Sequence, residues 1–191
     1  PPRSTLFPYT TLFRSIVTDE VKRDGVTILP HYQYWNEAIH GYARMGNATS
    51  FPESKGMSAT WDPELVYDCA DAISTEARAY HMFKTNQRNS LVKGWKIGLN
   101  VWSPTINLAR DPRWGREEEN YGEDPLLCGT LATSFVKGIQ GQQDIANPYY
   151  KIVACAKHFA ANNYEAGRHS TTSFVAEKNL REDYLPDFEM C

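Results

Sequence analysis

Nowhere does an apolar run approach the roughly 18–20 residues that a membrane-spanning helix takes, so no segment of this sequence reads as one. Cysteine is sparse. Cys69, Cys128, Cys155 and Cys191 are the four in 191 residues, and none lies in a CxxC or another metal-ligand spacing. They predict buried free thiols rather than a disulfide scaffold or a structural zinc site. Positive charge is also short, with 20 Lys and Arg against 23 Asp and Glu and a net charge of −3. That balance excludes the basic surface a nucleic-acid binder presents. Internal repeats and low-complexity linkers are missing too. What remains is 41% hydrophobic and 13% aromatic, enough for one sizeable core.

The first fifteen residues, PPRSTLFPYTTLFRS, carry no period that continues into the chain beyond them. They have neither the continuous apolar core nor the small-residue cleavage site of a signal peptide. They look instead like the translation of a common sequencing adapter, so residues 1–15 are set apart as a non-native leader and the fold is read from residue 16. On that reading the chain is a piece of a longer protein.

From Ile16 onward, strand and helix signals alternate. Asp62-Pro63 predicts a helix start, with Asp as N-cap and Pro in the first turn, and Leu65, Val66, Cys69, Ala72 and Ile73 follow on one face. Ile97 to Pro104 reads as a short strand ended by proline. A second helix opens after Asp124-Pro125, carries Leu131, Phe135, Val136 and Ile139, and stops at Gly141. Lys151 to Phe159 reads as a strand whose apolar start turns polar, and Glu177 to Met190 as a helix interrupted at Pro186. Such alternation, with polar groups gathering at strand ends, predicts a parallel α/β fold, and in a (β/α)8 barrel the ligand groups sit at those ends.

Four stretches could carry chemistry. Arg110 to Pro125, RDPRWGREEENYGEDP, sets three arginines, Trp114 and Tyr121 among many carboxylates. Guanidinium forks can hold hydroxyls or carboxylates bidentately, as a lysine cannot. Tyr32 to Gly41, YQYWNEAIHG, puts aromatic rings beside Glu37, a pairing that suits sugars, though a solvated Glu at an aromatic-rich strand end is the commoner reading. Lys157-His158 ends a strand, where a surface lysine beside a core histidine is the plainer reading. Arg168-His169-Ser170 follows a polar loop. A zinc site from Cys155, His158, Glu165 and His169 lacks any recognised spacing.

Taken together, these segments resemble glycoside hydrolase family 3, the β-glucosidase and β-xylosidase family, from about Val26 to Cys191. RDPRWGREEENYGEDP resembles its arginine-bearing signature, and YQYWNEAIHG is similar to the YxWWNEALHG of its xylosidase branch. KHF matches its sugar-binding pair, and RHS an ERHS-like tripeptide of xylosidases. The segment His81 to Lys93 departs from the pattern. The resemblance implies a partial (β/α)8 TIM-like barrel over residues 16–191, short of the about 250 residues of a full one. It implies that Glu37, Arg116, Lys157, His158 and Arg168 bind the sugar in the −1 subsite, that Trp102 borders it, and that the Lys157–His158 peptide is cis. Arg110, Asp111 and Arg113 would brace the loop, Glu119 and Asp124 form internal salt bridges, and Glu117 and Glu118 stay solvated.

In the family, hydrolysis retains configuration through a covalent glycosyl-enzyme. The motifs of nucleophile (SDxxA or TDCGA) and acid/base do not occur here, so the expectation is an inactive N-terminal fragment of an exo-acting β-xylosidase. Its partners would be a β-linked xylo-oligosaccharide or another small glycoside and the rest of its own chain. No cofactor, metal, nucleic acid or membrane is implied, and an extracellular or periplasmic location is. A β-glucosidase, an α-L-arabinofuranosidase or a non-catalytic sugar-binding relative are the alternatives. A β-N-acetylglucosaminidase fits less well, since that branch carries KHFPGHG where this chain reads KHFAAN.

Overall fold

The computed structural model describes residues 17–18, 21–29, 32–33, 36–44, 46–86 and 98–191. The leader 1–15, Tyr34, Trp35, Ile97 and residues 87–93 of the departing segment lie outside the described residues. Near the amino end, β1 (Val17–Thr18) pairs antiparallel with β4 (Tyr32–Gln33), and β2 (Val21–Arg23) with β3 (Val26–Leu29). The second pair is a hairpin turned by Asp24 and Gly25, both at positive φ, as a tight two-residue turn requires.

Three helical elements build the main packing layer: α1 (Ser54–Ser58), α2 (Pro63–Asn86) and α3 (Pro125–Gln140). Asp62 caps α2 as expected, its Oδ1 accepting from the backbone N–H groups of Glu64 and Leu65 at 3.0 Å each. Val66, Cys69, Ala70, Ile73 and Ala77 form the buried stripe of α2, whereas Leu65 is 43% exposed. The burial face therefore starts one residue later than the spacing suggested. In α3 the buried stripe is Cys128, Leu131, Ala132, Phe135 and Ile139, with Val136 half-buried on its flank. The two helices approach closely at Gly138, where a Cβ would lie 2.4 Å from the Tyr67 carbonyl oxygen and 2.7 Å from Ala70 Cβ.

Behind these helices, β5 (Asn100–Val101) and β6 (Val153–Ala154) pair in parallel, Asn100 with Val153 and Val101 with Ala154. With α3 between them they form the β-α-β unit that the alternation predicted. Both strands are shorter than expected. Pro104 has no N–H to give the ladder, yet pairing continues past it: Cys155 N–H donates to Ser103 O, Lys157 N–H to Pro104 O, and Ile106 N–H to Lys157 O. On the other side, Trp102 N–H donates to Asn36 O at 2.9 Å, and Ala38 N–H to Ser103 Oγ at 3.1 Å. Residues 36–38, 99–106 and 153–158 thus lie side by side, with the middle segment holding the other two.

At the carboxyl end, the helical stretch expected to be interrupted at Pro186 is three pieces: α4 (Glu177–Asn179), a π-turn over Leu180–Tyr184, and α5 (Pro186–Met190). Pro186 cannot donate to the carbonyl four residues back, and the turn before it widens so that Leu185 N–H reaches Leu180 O at 3.0 Å. All four cysteines are free; Cys69 and Cys128 are buried as expected, but Cys155 and Cys191 are exposed.

Candidate functional site

At the carboxyl ends of the three adjacent segments, five charged or polar side chains from distant parts of the chain converge. Glu37 comes from the first segment, whose following loop folds back so that Ala43 N–H donates to Glu37 O at 3.0 Å. His40 steadies that loop, one ring nitrogen 2.9 Å from Phe51 O and the other 2.9 Å from Glu53 Oε1. Lys157, from the third segment, donates to Glu37 Oε2 at 3.3 Å, with the two side chains only 12% and 18% exposed. Burial lowers the Lys157 ammonium from its ordinary value, Glu37 opposes that, and Arg116 adds to it. From the rim, half-exposed Arg44 brings Nη2 to 3.9 Å from Glu37 Oε1.

Arg116 forks onto Glu119, Nε to Oε1 at 2.7 Å and Nη2 to Oε2 at 2.5 Å. Burial pushes the Glu119 carboxyl up, but the Arg116 fork and charge and the Lys157 charge outweigh it, and the net direction is down. Thr105 Oγ1 donates to the same carboxylate at 3.1 Å. The remaining Nη1 of Arg116 lies 2.9 Å from His158 Nε2. A guanidinium only donates, so Nε2 accepts and the proton of the ring sits on Nδ1, which donates to Asn107 Oδ1 at 2.9 Å. Burial first, then the charges of Arg116, Lys157 and Arg168, push the His158 imidazolium down to about 2. His158 is therefore a neutral, fixed group. In a proton NMR titration from about pH 4 to pH 8, a range that spans the ordinary histidine value near 6.5, its ring signals should stay flat. A midpoint near 6 would overturn this tautomer assignment.

Arg168 enters the cluster through Glu165, which accepts from Arg168 Nη1 at 2.6 Å and from Trp114 Nε1 at 3.4 Å and lies 3.9 Å from Arg116 Nη1. Trp102 stands on the central segment, half-buried and next to Ser103. So Glu37, Arg116, Lys157, His158 and Arg168 are brought together, and Trp102 is placed on the strand beneath them. The Lys157–His158 peptide is cis, as are Ser103–Pro104 and Phe159–Ala160.

Several frame residues differ from the sequence reading. Asp124 forms no salt bridge among the described residues; its side chain caps α3 by accepting from Leu127 N–H at 2.7 Å. Glu117 is not solvated, since it pairs with Lys55 at 2.7 Å and accepts from Asn120 at 3.3 Å. Glu118 is exposed as expected. Asp111 and Arg113 bond each other at the surface, where the Arg113 hydrogen bonds hold the Asp111 carboxyl far below the usual range. Arg110 braces the carboxyl end instead, reaching Asp183 O at 3.2 Å with its guanidinium carbon 3.6 Å from the Tyr184 ring centroid. Asn107 and the positioning role of Glu165 escaped the sequence reading. Asn107 stands just past the end of the central strand, and that position was the available signal.

What this geometry can do is grip a neutral ligand rich in hydroxyl groups. Carboxylates Glu37 and Glu119 accept, Lys157, Arg116 and Arg168 donate, and among the described residues of the cluster no group is poised as a nucleophile beside a base.

Comparison with known proteins agrees with that chemistry. The family described as "Glycosyl hydrolase family 3 N terminal domain" matches residues 15–191. A xylan 1,4-beta-xylosidase of Xylanibacter ruminicola is 42% identical over 161 residues, covering 82% of this chain and 18% of its own length. A beta-xylosidase/alpha-L-arabinofuranosidase of Medicago sativa is 35% identical over 186 residues, covering 90% and 22%. Among solved structures, a GH3 exo-beta-xylosidase in complex with a xylobiose aziridine probe superposes with a TM-score of 0.71 at 33% identity, covering 85% of this chain and 21% of that one. Beta-glucosidase 3B of Thermotoga neapolitana superposes at 0.70 and 32%, covering 91% and 22%. The chain spans about a fifth of the length of these relatives. It belongs to glycosyl hydrolase family 3, as part of that family's N-terminal, TIM-barrel-like α/β domain.

Proposed function

We propose that the whole protein is an exo-acting, retaining β-xylosidase and that this chain supplies the sugar-recognition half of its −1 subsite. The observation that carries the proposal is the Glu37–Lys157 pair beside the Arg116–His158 pair, four groups held at a strand edge with hydrogen-bonding capacity turned toward a small polar ligand. Glu37 and Lys157 take neighbouring hydroxyls, one accepting and one donating. Arg116, held in place by neutral His158, takes the next, and Arg168 closes the ring of donors. In this reading the retaining mechanism needs a nucleophilic carboxylate and an acid/base about 5–5.5 Å apart, and both belong to other parts of the whole protein.

A pentose is favoured over a hexose on the resemblance of YQYWNEAIHG to the xylosidase branch: glucosidases of the family typically carry an Asp there in a different motif, and the longer Glu37 suits a sugar without a C6 hydroxymethyl group. The relatives include β-glucosidases and an enzyme named for α-L-arabinofuranosidase as well, so the test is a panel. The whole protein should hydrolyse 4-nitrophenyl β-D-xyloside with a higher kcat/KM than the β-D-glucoside and the α-L-arabinofuranoside. The 191-residue chain alone should hydrolyse none of them. A glucoside preference, or turnover by the chain alone, overturns this reading.

A further inference from the structure

We propose that Glu165 sets the charge specificity of this site, positioning Arg116 and Arg168 while cancelling the excess positive charge they bring, so that a neutral sugar is accepted and a sugar carboxylate refused. The proposal rests on reading the cluster as a sugar site. Three cations, Arg116, Lys157 and Arg168, stand opposite three carboxylates, Glu37, Glu119 and Glu165, with His158 neutral between them. Arg44 at the rim is 47% exposed, where water screens it. Glu37 is matched by Lys157 and Glu119 by Arg116. Among the described residues, the charge of Arg168 is matched by Glu165.

The geometry fixes Glu165 in that task. Its Oε1 accepts from the indole N–H of Trp114 at 3.4 Å, and that indole is 5% exposed, which gives the carboxylate a buried anchor. The loop that carries it is held at two points, Asn107 Nδ2 to Asn162 O at 3.0 Å and Asn163 Nδ2 to Leu108 O at 3.1 Å. Oε2 then orients Arg168, and Oε1 lies 3.9 Å from Arg116 Nη1, the nitrogen that also meets His158. Without this carboxylate, two guanidinium groups would share one partly dehydrated space with a net positive charge. A planar fork of that kind binds carboxylates bidentately, and an acidic sugar would then compete with the neutral one.

The experiment uses the whole protein with Glu165→Gln, Glu165→Asp and the double variant Glu165→Gln/Arg168→Gln. It reads KM and kcat on 4-nitrophenyl β-D-xyloside, inhibition by D-xylonate, a five-carbon sugar acid with no C6 group, and xylonate binding by calorimetry. Glu165→Gln should raise KM by about tenfold, the scale of one lost charge-assisted contact, with a much smaller change in kcat. It should also become about tenfold more sensitive to xylonate. Glu165→Asp keeps the charge and should stay as indifferent to xylonate as the wild type. The double variant restores the charge balance and should lose the sensitivity again, which a merely structural role for Glu165 does not predict. Unchanged xylonate sensitivity in Glu165→Gln overturns the proposal, as does equal sensitivity in Glu165→Asp. If Glu165→Gln does not fold, the decision passes to Glu165→Ala, which removes the same charge and should bind xylonate more tightly than the wild type; equal or weaker binding overturns the proposal. A wild type that fails to hydrolyse the xyloside refutes the sugar-site reading, while calorimetry still decides the charge claim separately.

Discussion

Arg116→Ala is expected to lower the unfolding free energy of the chain by about 3 kcal/mol, the low end for a buried pair that loses one partner. The low end applies because Arg116 and Glu119 remain 18% and 17% exposed. The loss comes less from the missing attraction than from what stays behind. Glu119 would keep its burial without its fork, and only Thr105 and the more distant Lys157 would remain to hold its charge. His158 Nε2 would lose its donor in the same step. Lysine at position 116 should recover little, because a point charge cannot reach both carboxylate oxygens and the imidazole in one plane. The pH dependence follows with its sign. In the wild type the Glu119 carboxyl is lowered, so its stabilisation is present above the unfolded value near 4.3 and lost as pH falls through the folded one. In Arg116→Ala, burial raises it instead, so the deficit should shrink on acidification as Glu119 takes up a proton. Urea unfolding of both chains across that pH range tests this, and a deficit independent of pH would contradict it.

Asp187→Asn should do the opposite and stabilise the chain at neutral pH. Asp187 is 1% exposed in α5 where that helix meets α3, and its Oδ1 accepts from the Phe188 N–H at 2.9 Å. No cation pairs with it among the described residues; Arg110 acts on it from a distance while stacked on Tyr184. Burial pushes its carboxyl up to about 6, against the smaller pull of backbone N–H groups, Arg110 and Cys128. A carboxyl whose folded value exceeds its unfolded one favours folding when protonated. That contribution is complete below about pH 4 and is lost as pH climbs through 6, a cost of about 3 kcal/mol at pH 7. Asn removes the charge and keeps the acceptor, so the variant should melt higher than the wild type at pH 7 and equally at pH 4. Parallel melting curves at every pH would refute the assignment.

Signals of backbone chemistry were the ones most legible in the sequence. Asp62-Pro63 and Asp124-Pro125 opened helices where expected, and Gly141, at φ 69°, closed one. These signals act within a few residues and survive whatever the rest of the chain does. The Asp24-Gly25 turn was equally local and went unread, though two flanking Val residues and that dipeptide are a hairpin signature. Strand lengths were less legible because a ladder depends on its neighbour: the run read as ending at Pro104 keeps hydrogen-bonding to the 153–158 segment beyond that proline.

For the site, the resemblance supplied which residues matter, and the residues alone left plainer readings open for Glu37 and Lys157-His158. Partners were the illegible part. Nothing in the spacing tells that Glu165 belongs with Trp114 and Arg116, or Asn107 with His158, since those contacts cross 49 to 51 positions of chain. The carboxylates of the Arg110–Pro125 segment look alike in sequence, yet one clamps Arg116, one caps a helix and one is paired with Lys55.

The pairing of Glu37 with Lys157 across 120 positions also bears on how the molecule comes into being. At about 5–20 residues per second of synthesis, roughly 6–24 s pass between the appearance of Glu37 and that of its partner. Over that interval α2 and then α3 are made, while the Glu37 carboxylate waits for its partner. No contiguous stretch shorter than the span from Glu37 to Arg168 holds the constellation, so neither an excised peptide nor a grafted loop reproduces it.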